Sequence, residues 1–279
     1  MEPLQETYAS LLDRAEERIG EAAFGPDADA AGPLYEDLGD TFEGLAACNL
    51  LLSLDLAQFR TDLLYSATAR EQFLAMCARA GVAPLHRARS RTNALFCAVA
   101  ARDDALAASL VQLRPATWTP DGEYEDDFCY AAFVGTLAAP AEAAATLPPP
   151  TALLDRFAAV LDGLPTPRLA VCRAFEADDE SAFSVAFDDL LMAHQTWAAE
   201  AESARRDQPA FLATRHVFVE GLALLALAGR RGWAVPDEHA FCPAPARLGP
   251  MTAAVPDLFG EIARLAAASR RARGAAPTL

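Results

Sequence analysis

The chain has 279 residues, enough to bury a large core without disulfides or metals, and a formal charge of −16. All 23 basic side chains are arginine. Without lysine there is no P-loop Gly-Lys-Ser/Thr, no Schiff-base amine and no serine–lysine pair. The acidic balance opposes nucleic acid and anionic membranes and suits a basic protein partner, although the general acidity of soluble bacterial proteins is the simpler account of the charge alone. Alanine and leucine dominate while isoleucine occurs only at Ile19 and Ile262, so the expected fold is all-α: packed helical hairpins with little or no sheet.

In chain order, Leu4, Tyr8, Leu11, Leu12, Ala15 and Ile19 recur at helical spacing and predict an opening helix that Gly20 can end. The start is acidic and lacks an apolar core, so no secretory signal is expected, and no charge-free run reaches the roughly 20 residues needed to cross a bilayer. The expected location is cytoplasmic. Residues 1 to 50 hold twelve acids against Arg14 and Arg18. After a Gly/Pro loop, the pattern from Leu34 to Ala80 predicts two or three helices ending near Gly81.

The segment from Arg91 to Leu113 reads as helix, Arg-Asp-Asp turn, helix, with Asp103 or Asp104 as cap. It has a partner about 75 residues on, where Cys172 precedes Asp178-Asp179 by the spacing that separates Cys97 from Asp103-Asp104. Between them lies Leu147-Pro148-Pro149-Pro150, a boundary near 145–151 either within one helical domain over 1–279 or between two packed subdomains. Thr151 is placed to cap the next helix. The run from Phe211 to Trp233 predicts one apolar helix ended by Gly229 or Gly232, and a last helix is expected from about Val255.

The six cysteines, at 48, 77, 97, 129, 172 and 242, form no CxxC and are expected to be reduced core residues. His86, His194, His216 and His239 lack metal-ligand spacing and read as structural. Arg87, Arg89 and Arg91 read as partners in internal ion pairs, with phosphate capture as the weaker alternative. The pairs Asp126-Asp127 and Asp188-Asp189 lack the third acid of a magnesium-binding DDxxD box, and HExxH and GxSxG are absent. No catalytic residue, metal or cofactor is expected.

The most distinctive string is GEYEDDFCY. On a helix, Tyr124 and Phe128 share a face suited to packing, while Glu123, Glu125, Asp126, Asp127 and Tyr130 are expected to meet a partner. An equally open reading is a charged first turn that stabilises the helix dipole. This string with LRPATW before it, RHVFVEGLALLALAGRRGW, and the FCP at Phe241 to Pro243 resembles the Immunity protein 49 family of bacterial polymorphic toxin systems, over about residues 40 to 250. The resemblance implies a helical protein that binds a cognate toxin and neutralises it in the cytoplasm without catalysis or cofactor, and the acidic charge of the chain adds the expectation that this toxin is basic at its contact surface. The alternatives are a helical-repeat adaptor, supported by the paired hairpins, and an all-α metal-dependent enzyme.

Overall fold

The computed structural model describes residues 2–83, 85–236, 238–249, 257–260 and 264. Fourteen helices and no strand occur among the described residues. Helices α1 (Glu2–Ala23), α2 (Gly32–Ser53) and α3 (Leu56–Ala80) pack in succession, followed by a 3-10 turn (Leu85–Arg87) and the hairpin of α4 (Asn93–Ala100) and α5 (Asp104–Leu113). Next come α6 (Glu125–Ala138), the short α7 (Ala141–Ala144), α8 (Pro150–Leu161), and the hairpin of α9 (Pro167–Ala177) and α10 (Glu180–Arg205). The chain closes with α11 (Pro209–Thr214), α12 (Val219–Arg230) and α13 (Ala244–Leu248). Helix α12 lies on α4 and α11 lies on α2, so the last third is tied back to the first. Core residues on both sides of 145–151 belong to one hydrophobic cluster. Among the described residues no helix is long and apolar enough to cross a membrane.

Local chemistry explains most boundaries. Asp55, Asp103 and Asp179 cap α3, α5 and α10 by accepting from Gln58, Leu106 and Ala182 N–H. Gly81, at φ 67°, closes α3 in the left-handed conformation that glycine adopts without cost. The two hairpins share their turn, but displaced by one residue from the cysteine-based spacing, which would match Asp178 to Asp103. Asp178 instead takes the left-handed position that Arg102 takes, and Asp179 answers to Asp103 as the cap.

Four expectations are corrected. Helix α1 runs through Gly20 to Ala23, because an exposed glycine lowers helix stability without ending it. Thr151 is inside α8, whose start is set by Pro149 and Pro150. The apolar run from Phe211 is two helices: Phe218 N–H donates to Phe241 O instead of continuing the first. Among the described residues, Arg91 alone of the arginine trio pairs with an acid, Glu36, at 2.8 Å. Arg89 is fully buried and donates to the carbonyls of Val111, Arg114 and Pro115, while Arg87 donates to those of Val82 and Leu113. Both satisfy the exposed carbonyl end of α5, a role as good for a cation as a carboxylate. All six cysteines are free and buried. The helix expected from Val255 lies almost wholly outside the described residues.

Candidate functional site

Three of the four acids of GEYEDDFCY are held by the protein's own donors. Glu123 accepts from Ser90 N–H at 2.7 Å and Thr119 N–H at 3.2 Å, and its carbonyl accepts from Trp118 Nε1. It ties the loop before α6 to the segment after the 3-10 turn. Glu125 pairs with Arg156 of α8 at 2.6 Å, and that guanidinium also lies over the Trp118 and Phe128 rings. Asp127 pairs with Arg168 of α9 at 3.3 Å. Glu125, Asp126 and Asp127 fill the first turn of α6, where negative charge suits the dipole. Asp126 alone of these acids forms no hydrogen bond or ion pair among the described residues.

The two tyrosines exchange their expected places. Tyr124 is 79% exposed, whereas Tyr130 is 2% exposed. The packing role assigned to Tyr124 and the surface role assigned to Tyr130 are therefore both overturned. Phe128 is buried as expected. Facial reasoning fails here because α6 is central: every residue from Phe128 to Gly135 is buried, so the helix has no wet face beyond its first turn. Tyr124 precedes that helix in extended conformation as its N-cap.

The Tyr130 hydroxyl donates to Glu220 Oε1 at 2.7 Å, and Arg168 grips the same carboxylate through Nε at 3.0 Å and Nη2 at 2.7 Å. Arg168 also lies over the Tyr130 ring, 4.8 Å from its centroid. Burial alone would lower the Arg168 pKa, but the Glu220 carboxylate raises it above the ordinary arginine value. Burial, and then Glu220, push Tyr130 well up, so it remains a donor. Asp127 is raised by burial despite the offsetting charge of Arg168.

Arg168 and Glu220 form part of the wall of a cavity of about 600 Å³ between α2 and α4 on one side and α9 to α12 on the other. Asp127 and Tyr130 stand behind that wall and fix it. The opposite wall carries Asp40 and Glu43, one turn apart on α2, with Asn93 of α4 beside them. Burial first, then the charge of Asp40, push Glu43 up to about 8 against a hydrogen bond from Asn93. Asp40, exposed at the rim, is raised to about 6 by the surrounding protein and by Glu36 and Asp37, against the fields of Arg205 and Arg91. His194 of α10 stacks on Phe218 with centroids 4.2 Å apart, and burial lowers its pKa, leaving it neutral. Arg205 lies over the Trp197 and Phe211 rings.

The strings RHVFVEG and FCP meet beside this cavity. Phe218 N–H donates to Phe241 O, and Cys242 Sγ approaches Phe218 O at 3.6 Å. A Cβ at Gly221 would lie 2.5 Å from Phe218 Cδ1 and 2.7 Å from Cys242 Sγ. Gly221→Ala should therefore destabilise the fold by about 1–3 kcal/mol, read as a lower urea midpoint at unchanged slope. An unchanged midpoint would show that the Phe218 ring moves aside freely.

Fold and site define a protein built, among the described residues, of helices alone, with a recessed cavity of polar and aromatic side chains. Residues 40–246 match the family model described as Immunity protein 49. The chain belongs to the Immunity protein 49 family, and is by that membership an immunity protein with a toxin as its implied partner. No curated protein and no solved structure matches it. The matched span contains the whole described cavity wall, from Asp40 to Glu220.

Sequence reasoning missed Glu220, Glu43, Asp40 and Arg168. Glu220 alone had a local signal, a single acid inside the apolar run VFVEGLALLALAG.

Proposed function

We propose that the protein binds its cognate toxin in the cytoplasm of the producing cell and neutralises it by one-to-one capture, without turnover. Family membership is the observation that carries this reading. The absence of lysine and of nucleophile or metal motifs in the sequence agrees with it. The net charge of −16 favours a toxin that is basic at its contact surface. Within the acidic-aromatic string, Tyr124 and Asp126 are the residues left to face that toxin; Glu123, Glu125, Asp127 and Tyr130 act through the scaffold they hold.

Titration against the cognate toxin tests the proposal. Toxin activity should fall linearly and vanish at about one equivalent when affinity is high. Full protection at a small fraction of one equivalent would mean that the protein modifies the toxin or repairs its damage.

A further inference from the structure

We propose that the cavity between α2 and α10–α12 is the receptor for one cationic side chain of the toxin, an ammonium or guanidinium group seated against Asp40 and Glu43. This rests on the immunity reading and names the site on this chain that performs it.

The polar groups of the cavity differ in what they lack. Arg168 is satisfied by the two oxygens of Glu220 and by Asp127, and Arg205 lies over two aromatic rings. Arg168 is thus answered by acids, whereas Arg205 has no ion pair among the described residues and its charge already acts on Asp40. Asp40 forms no hydrogen bond or ion pair among the described residues, and Glu43 has only Asn93. The acids of the cavity left without an ion pair are thus two carboxyls one helical turn apart, Asp40 in the field of Arg205 and Glu43 held neutral beside Asn93, and a positive group between them would satisfy both. The rest of the wall suits an aliphatic stem carrying such a charge: Phe96, Leu190, Trp197 and Phe218 line the same space. Aromatic faces attract cations, and neutral His194 adds no repulsion. A volume of about 600 Å³ is that of a small-ligand pocket, which a side chain can enter but a helix cannot.

An empty site keeps Glu43 largely protonated near neutrality. Seating a cation ionises it, so binding exchanges one proton for one cation and leaves the net charge of the cavity unchanged. Affinity should then rise as pH is raised toward 8, by up to about tenfold per pH unit.

The test uses the full-length protein and two ligands. The first is acetyl-arginine methylamide, titrated calorimetrically in buffers of different ionisation enthalpy; the second is the purified toxin. Wild type should bind the probe with release of about one proton, Glu43→Gln should bind it without proton release and more weakly, and Asp40→Asn with Glu43→Gln should abolish probe binding. The same double variant, still melting cooperatively, should lose at least about tenfold in toxin affinity. Wild-type toxin affinity in the double variant overturns the proposal; if the probe still binds wild type in that case, the cavity serves a free cation instead. Failure of the wild-type protein to bind the toxin at all defeats the immunity reading, and is distinct from a toxin that binds wild type and double variant alike.

Discussion

Replacing Glu220 with glutamine should destabilise the protein by about 2–3 kcal/mol, a large share of the roughly 5–15 kcal/mol that holds a domain folded. The Glu220 side chain is 10% exposed and answers both Arg168 and Tyr130. Its removal leaves a guanidinium with Asp127 as its remaining acid, at the longer distance of 3.3 Å. Breaking a fully buried pair costs about 3–5 kcal/mol; solvent reaches 39% of the Arg168 side chain, which places this pair below that range. Tyr130→Phe should cost less, about 1 kcal/mol, since Arg168 still satisfies the carboxylate. The two changes should be non-additive, because Tyr130→Phe removes the hydrogen bond that Glu220→Gln weakens from charge-assisted to neutral. Urea midpoints of both single variants and the double variant measure this. Strict additivity would mean that tyrosine and carboxylate do not interact.

How much of this could be read from sequence depended on the range of the cause. Caps are local: Asp103 lies three residues before the N–H it accepts, and its role was visible in the Arg-Asp-Asp turn. The burial of the cysteines followed from their apolar surroundings, and that of Phe128 from its place on the packing face of the helix. The role of Tyr130 did not, because its partner lies 90 residues away and the helix carrying it is enclosed on all sides. The acids of the string illustrate the same limit. Sequence placed them together and on the start of a helix, but not the arginines of α8 and α9 that claim Glu125 and Asp127. The break between α11 and α12 depends on a backbone bond from Phe218 to Phe241, with no signal inside the apolar run itself. The cavity was illegible for this reason throughout. Its wall is drawn from six helices between Asp40 and Glu220, and no segment contributes a recognisable motif.

The stability of the protein should fall as pH rises from about 6 to 8, and Glu43→Gln should remove most of that fall. Glu43 feels Asp40 on its own helix and Asn93 on α4, acts on the Cys97 thiol of α4, and lines the same cavity as Arg168 of α9, His194 and Arg205 of α10 and Glu220 of α12. Its ordinary value of 4.5 is pushed up to about 8, first by burial and then by Asp40. A carboxyl raised on folding stabilises the fold fully below its unfolded value, and that contribution is lost as pH climbs through the folded value. The slope approaches about 1.4 kcal/mol per pH unit where the folded group holds a proton that the unfolded chain has released. Asp40 and Asp62, both raised to about 6, act in the same direction but finish earlier, and solvent at the rim weakens the share of Asp40. The lowered histidines, His194, His216 and His239, oppose them, adding stability as pH rises through the ordinary histidine value of 6.5. The difference between wild type and Glu43→Gln cancels Asp62 and the histidines and leaves Glu43 with its coupling to Asp40. Glutamine keeps the shape and the polarity of the protonated acid, so the variant should match wild type near pH 5 and exceed its urea midpoint increasingly up to about pH 8. Midpoints that run parallel across this range would mean that Glu43 is ionised in the folded protein, already answered by a positive charge.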